Sequence, residues 1–402
     1  MIRTRWEHLI EVVFSVPIGT CAFSLSIHSS GRAVKGKTAR QRPAKPEKTG
    51  YLPTLDGWRA IAVLAVIFFH DKLHSFGPIS TGWLYSHGNS GVDLFFAISG
   101  LLICWRLLEE ERIFGNISLR RFYVRRAFRI LPPALVFLTT VAILALTGVI
   151  HIGVREWLGA LFFFHNYSSL LGHLSLDSIF LDHFWSLAVE EHFYLILPGL
   201  LVLTRNRFRI PLLLTLAAIV EVHRFVVLGS RMWIYVGPHT GVRLDYLLVP
   251  ASFAVIAQSG EAKDRLKKWL RVWPILLIVI AILITYWSGR FWQITSLAFL
   301  MPMMLLGSIL NPSGIFAKLL EWRPIRYVGR ISYSIYLWQE LFFIGHFYTG
   351  SFPLGALERA PLCYVATLAF AATSYHLVEQ PLIKLGHKLA PPATAGRGDL
   401  PS

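Results

Sequence analysis

Cysteine is nearly absent from this chain: there are three in 402 residues, Cys21, Cys104 and Cys363, each within or beside an apolar stretch. Such scatter supports neither a disulfide framework nor a thiolate metal site, and each reads as a small buried hydrophobe. Charge is scarce as well, at 15% of residues against 54% hydrophobic and 14% aromatic, with a mean hydropathy of +0.53. A soluble globular chain of this length does not carry that balance, whereas a polytopic membrane protein does. Also missing are a Gly-x-Ser-x-Gly elbow, a glycine-rich phosphate loop and any recognised metal-ligand spacing. Hydrolase, ATPase and zinc-enzyme readings lose support, and neither a metal nor a bound cofactor is expected. No internal repeat is evident.

The charge that is present has one sign in excess, formally +16 with a pI near 10. A nucleic-acid partner would need those basic residues on a soluble surface. They lie between apolar stretches instead, so no nucleic acid is expected and the charge reads as a topology signal. Ten stretches, at about 57–73, 91–106, 132–150, 183–203, 210–228, 241–257, 273–288, 291–310, 331–349 and 356–378, are each close to the roughly 20 residues that cross a bilayer. The arm 32–48, the loops 106–129, 205–209, 263–271 and 318–330, and the tail after 383 together hold 29 Lys and Arg. The opposite loops hold only Lys72, Arg155, Arg231 and Arg290. The positive-inside rule then places the start of the first core span and the C-terminus in the cytoplasm.

This parity requires the short aromatic segment Trp157 to Tyr167 to be re-entrant or interfacial. The apolar stretch 9–27 carries Glu11 and Pro17 and precedes the basic arm, so an extra span, an interfacial helix and an over-extended start all fit it. A cleaved signal peptide does not, because the arm would be exported against its charge. The expected fold is all-α: a polytopic transmembrane helical bundle of about ten core spans. It divides into an N-terminal extension 1–50, one membrane domain 51–383 and a short cytoplasmic tail 384–402.

Within the first span, Leu55-Asp56-Gly57-Trp58-Arg59 is followed by an apolar run ending in Phe68-Phe69-His70-Asp71. Eleven residues at about 100° each make three turns plus roughly 20°, so Arg59 and His70 share a face about 16 Å apart. The fourth span opens His183-Phe184-Trp185-Ser186-Leu187-Ala188-Val189-Glu190-Glu191-His192. A paired carboxylate at that depth costs of order 2.5 kcal/mol or more per ionised group and suits proton handling. Structural pairing of Glu190 and Glu191 with Arg243 or Arg224 is the bland alternative. Glu221, His223, Arg224, Arg243 and Asp245 fall in the same outer half, which suggests a polar cavity there. On the inner side, Arg121, Arg125 and Arg129 share one face if their segment is helical, and with Arg126 they match a phosphate-bearing ligand or lipid phosphates. Asp93, in Gly91-Val92-Asp93-Leu94-Phe95-Phe96, is positioned to orient His70 across the first hairpin, while the small residues around it suit close helix packing.

Seven elements in order resemble the acyltransferase family 3 of integral membrane proteins, from about Tyr51 to Pro381. They are Arg59 with His70 after ten residues, Gly91 to Gly100, Arg120 to Pro132, Trp185 to Glu191, Arg243 with Asp245, Ser332 to Trp338, and Glu379 to Pro381. Three positions depart from the family pattern: Trp58 for a smaller aliphatic residue, His192 for glutamine, and Gln339 for a histidine. The last weakens any acid or base role for the ninth span. Some relatives carry a further extracytoplasmic esterase-like domain that is not seen here, so the reaction is expected to be completed by the membrane domain or a separate partner.

The resemblance implies transfer of an acyl group, often acetyl, from cytoplasmic acyl-CoA as co-substrate to a hydroxyl of a carbohydrate or glycosylated acceptor, at a bacterial inner membrane. In that scheme Arg121, Arg125, Arg126 and Arg129 hold the CoA phosphates and Arg59 guides the thioester. His70, oriented by Asp93 or by Glu190 and Glu191, acts as general base or carries the acyl group. Arg243 and Asp245 contribute to substrate binding, and Ser186 is a minor candidate for a covalent relay. The rival is a proton-coupled or passive exporter of a glycan or glycolipid, in which the same ionisable groups line a pathway.

Overall fold

The computed structural model describes residues 51–71, 88–167, 176–228, 238–286, 290–312, 314–345 and 350–392. The extension 1–50 with Cys21, the loop residues Lys72 and Arg231, and the tail beyond Pro392 lie outside the described residues. Every regular element among those described is helical. The α-helices of six residues or more are, in chain order, α1 (Pro53–His70), α2 (Ser90–Phe114), α3 (Leu119–Leu146), α4 (Val154–Leu161), α5 (Phe184–Leu203), α6 (Asn206–Leu228), α7 (Asp245–Gln258), which a single turn Thr240–Arg243 precedes, and α8 (Gly260–Trp269). These are followed by α9 (Trp273–Tyr286), α10 (Arg290–Leu310), α11 (Ile315–Leu320), α12 (Arg323–Arg330), α13 (Ser332–Phe343), α14 (Leu362–Ser374) and α15 (Gln380–Leu389). A π turn at Tyr375–Glu379 joins the last two.

Among the described residues, five helical stretches are long and apolar enough to cross a membrane: Ser90–Phe114, Leu119–Leu146, Ile179–Leu203, Asn206–Leu228 and Phe291–Leu310. They match five of the ten expected spans. α1 has the length, 18 residues, but Asp56, Arg59 and His70 hold its hydropathy down. α7, α13 and α14 are shorter, at 14, 12 and 13 residues. α4 has eight residues, about 12 Å of helix, and its Trp157 indole donates to the Leu138 carbonyl of α3 at 3.0 Å. Such a helix lies along the bundle and cannot traverse a bilayer. On α3 and α6 only 33% and 28% of the most apolar window is buried within the protein, and the exposed Leu146, Ile219, Val222 and Phe225 form the kind of apolar surface that lipid covers.

Two local features build the interior. Gly115 ends α2 in the left-handed region, at a φ of 74°, and Ser118 caps α3 by accepting from the Arg121 backbone N–H at 3.4 Å. The tight turn between them folds the arginine-rich start of α3 back beside the end of α2. Gly100 in the middle of α2 sits directly on the Leu247 backbone of α7, an approach that any side chain would block. α2 is therefore the central helix, with α1 on one side and α7 on the other, and its buried face runs through Phe96, Ile98, Leu101, Ile103 and Leu107. Trp58 is accommodated by the same packing: its indole donates to Ser308 Oγ of α10 at 3.0 Å and meets the Trp273 ring edge-on at 6.2 Å. Cys104 and Cys363 are both buried and unbridged.

Candidate functional site

The α2–α3 hairpin, the start of α1, the end of α12 and the π turn with α15 enclose a cavity of about 430 Å³. Arg59, Arg106, Arg125, Arg126, Arg129, Arg330 and His387 line it, against Asp56, Glu109, Glu110 and Glu379. Most of those carboxylates are already engaged. Glu110 pairs with Arg121 at 3.0 Å and Arg125 at 2.8 Å. Asp56 meets Arg59 at 3.2 Å and also the Tyr51 hydroxyl. Glu379 accepts from Ser334 Oγ at 2.9 Å. Arg126 and Arg129 enter no ion pair among the described residues, and the Arg126 guanidinium lies 5.0 Å from the Tyr194 ring centroid. Burial, and after it Arg125, Arg129 and Arg106, keeps the His387 imidazole below its ordinary range. The vestibule is thus a positively charged recess in which four arginines, Arg106, Arg126, Arg129 and Arg330, are not committed to a carboxylate among the described residues, a setting for an anionic ligand.

A second cavity of about 90 Å³ lies deeper, and Arg59, Leu102, Arg126 and Arg129 border both. Its remaining wall brings together Ser99, Ser186, Glu190, Glu191, Tyr194, Ser332, Tyr333 and Tyr336. Glu190 accepts from Ser99 Oγ at 2.8 Å and from the Tyr194 hydroxyl at 3.0 Å. The alternative pairing of the two glutamates with Arg243 or Arg224 does not form: Glu190 accepts from hydroxyls, and both glutamates line the chamber. Ser186 Oγ and the Tyr336 hydroxyl share a hydrogen bond of 2.6 Å, and the one that is not its donor can donate to the His183 carbonyl, which lies 3.1 Å from Ser186 Oγ and 3.2 Å from the Tyr336 hydroxyl. Chamber and vestibule therefore adjoin across Arg59, Leu102, Arg126 and Arg129, with the Ser186–Tyr336 pair on the chamber wall.

His70 lies beyond that pair, at the other end of α1, and lines neither cavity. One turn past Tyr336 on α13, Gln339 places Oε1 2.9 Å from His70 Nδ1. Glu340 Oε2 is 3.7 Å from the same nitrogen and 3.9 Å from His183 Nδ1. Two expectations need correction here. Neither Asp93 nor the Glu190–Glu191 pair is the carboxylate set beside His70 in this group, because α13 projects Glu340 into that position. Gln339, set aside as a substitute for histidine, is a direct partner of the candidate base. Glu340 and His183 were not singled out from the sequence, although a lone carboxylate in the run Trp338-Gln339-Glu340-Leu341-Phe342-Phe343 is the intramembrane ionisable signal that marks a site.

The remaining predicted residues separate. Asp93 meets Arg243 at 3.4 Å. Asp245, fully buried, pairs with the fully buried Arg224 of α6, which also reaches Glu221 at 3.4 Å. Glu221 accepts from Thr295 Oγ1 of α10 at 2.6 Å. These pairs form a ladder across α2, α6, α7 and α10, and Arg243 and Asp245 border neither of the two cavities described. Arg121 is likewise off both cavities, held by Glu110 and lying over the Phe114 ring at 4.5 Å. A helix places residues 121, 125 and 129 on one face as expected, but that face turns so that 125, 126 and 129 reach the recess. Among the described residues no cluster of three or more His, Cys, Asp or Glu is placed to hold a metal ion.

A helical bundle with a basic vestibule, an adjoining chamber that holds Glu190 and Glu191, and an imidazole outside both is the setting in which the comparisons with known proteins fall. The family model described as an acyltransferase domain, Acyl_transf_3, matches residues 52–376, and the chain belongs to that family. It is 29% identical over 370 residues to "Putative peptidoglycan O-acetyltransferase YrhL" of Bacillus subtilis, covering 86% of this chain and 57% of that protein. It is 30% identical over 370 residues to "O-acetyltransferase OatA" of Staphylococcus aureus, covering 84% of this chain and 58% of that one. The chain therefore spans less than two thirds of the length of these relatives. No solved structure matches the chain.

Proposed function

We propose that the protein is a membrane-bound O-acyltransferase that takes an acyl group, acetyl in the simplest case, from cytoplasmic acyl-CoA and delivers it to a hydroxyl of a cell-envelope glycan. The observation that carries this reading is the pair of joined cavities with Arg59, Arg126 and Arg129 at their junction. An acyl-CoA has the matching form: anionic phosphates for the vestibule and a thin, largely neutral arm that carries the thioester inward. Arg125, Arg126 and Arg129 hold the phosphates through charge-assisted hydrogen bonds, and Arg59 guides the thioester arm inward toward His70. His70 receives the acceptor's hydroxyl proton as general base, or carries the acyl group for part of the reaction. The acceptor class follows the activity named for the two relatives, of which one is named for peptidoglycan.

The reading includes a topology. Glu111 at the end of α2 clamps Arg209 at the start of α6 with contacts of 2.6 and 2.8 Å, so the basic loops 106–129 and 205–209 share one end of the bundle. By the positive-inside rule that end is cytoplasmic, in a bacterial inner membrane crossed about ten times by the domain 51–383. α1, α7, α13 and α14 then complete the crossings that the five long helices begin.

Purified protein incubated with acetyl-CoA labelled in the acetyl group tests the proposal. Label is expected to leave CoA for an added glycan acceptor, and His70→Ala is expected to slow that transfer roughly 10²- to 10⁴-fold at unchanged protein level. An exporter would leave the thioester intact, and that result would overturn the proposal. Mass spectrometry of envelope glycans from cells with and without the protein identifies the acceptor.

A further inference from the structure

Beyond the base itself, the α13 dipeptide Gln339-Glu340 is organised around His70 in a way that fixes which ring nitrogen does the chemistry. Gln339 is fully buried and Glu340 is 1% exposed. Gln339 Nε2 donates to Glu340 Oε2 at 2.8 Å, which an amide nitrogen can do and an amide oxygen cannot. That bond turns the other end of the amide, Oε1, toward His70 Nδ1 at 2.9 Å. An amide oxygen only accepts, so Nδ1 must carry a proton, which in the neutral ring leaves the lone pair on Nε2. Glu340 Oε2 stands 3.7 Å from the same Nδ1, close enough to stabilise the imidazolium formed once Nε2 takes a proton.

We propose that Gln339 is a positioning residue which transmits the charge of Glu340 to His70, holding the imidazole as the Nδ1–H tautomer so that Nε2 is its basic nitrogen. The inference rests on the acyltransferase reading for its consequence but not for its geometry. It also accounts for a neutral residue at a position where a titrating one is expected: an amide passes orientation along without taking up a proton. His183, whose Nδ1 lies 3.9 Å from the same Glu340 Oε2, packs its ring 5.6 Å from Tyr336 and 5.3 Å from Phe137.

The test uses the full-length protein in detergent or nanodiscs with ¹⁵N-labelled histidine, the His70 signals being assigned by difference from His70→Ala. The wild type is expected to show the Nδ1–H tautomer at His70, and Gln339→Leu a mixture or the Nε2–H form. In the transfer assay Gln339→Leu is expected to lower kcat roughly 10- to 100-fold with KM for acetyl-CoA changed less than about twofold, since the donor site lies at the other end. Glu340→Gln keeps the size, removes the charge that orients the amide, and is expected to lose the tautomer preference even if the leucine variant does not fold. A wild-type His70 in the Nε2–H form, or an unaltered kcat in both variants, overturns the inference. An Nδ1–H His70 in a protein that never consumes acetyl-CoA instead overturns the acyltransferase reading and leaves the positioning role standing.

Discussion

Two sets of buried charges sit side by side in this bundle and are built on opposite terms. In the ladder of Asp93, Arg243, Asp245, Arg224 and Glu221, each arginine has a carboxylate within 3.4 Å, and the central pair, Arg224 with Asp245, is fully buried. Around the chamber, Arg126, Arg129 and Glu191 enter no ion pair among the described residues and border open volume instead. Charges removed from water and paired with one another hold helices in register. Charges removed from water and left facing a cavity await a ligand that completes them. The contrast separates framework from site among residues that look alike in the sequence.

The largest effect that would break the comparison is expected in the ladder. Arg224→Leu strands Asp245 without its partner and should cost about 3–5 kcal/mol of stability, read as a lower midpoint of thermal unfolding in detergent. A variant as stable as the wild type would mean that the ladder is not framework. Next, Arg126→Gln with Arg129→Gln should leave unfolding nearly unchanged but raise KM for acetyl-CoA roughly 10- to 100-fold, given about 1.5–3 kcal/mol for each charged hydrogen bond lost, partly compensated by the remaining arginines. An unaltered KM would remove the vestibule as donor site. The smallest effect sharpens the scale: Trp58→Phe removes one buried neutral hydrogen bond, to Ser308, and should cost about 1 kcal/mol with no change in KM. A cost equal to that of Arg224→Leu would show that burial alone, and not charge pairing, sets the stability of this core.

Much of the helical fold was legible beforehand because apolar length is a direct reading of membrane physics. Five of the expected spans reappear as long apolar helices, and α4 is too short to cross, in keeping with the charge parity of its flanking loops. The vestibule was legible in part. An arginine every four residues on α3 announces a basic face, but Arg121 is consumed by Glu110 while Arg106, Arg330 and His387 arrive from three other elements. Pairings across the bundle were the least legible. Asp93 and Arg243 are 150 residues apart, Arg224 and Asp245 are 21 apart, and His70 and Gln339 are 269 apart. Nothing in local spacing distinguishes these partners from the equally charged alternatives.

From its sequence alone this protein is determined to be a helical, membrane-suited chain with one basic end and with Arg59 and His70 on a shared face, because hydropathy, charge bias and helical periodicity are properties of neighbouring residues. Only the tertiary structure decided that Glu340 rather than Asp93 stands beside His70, and that Arg243 and Asp245 are framework while Arg126 and Arg129 face a cavity. The physical reason is that the fate of a buried charge depends on which other helix delivers a counter-charge within hydrogen-bonding distance, and that is settled by packing across the bundle.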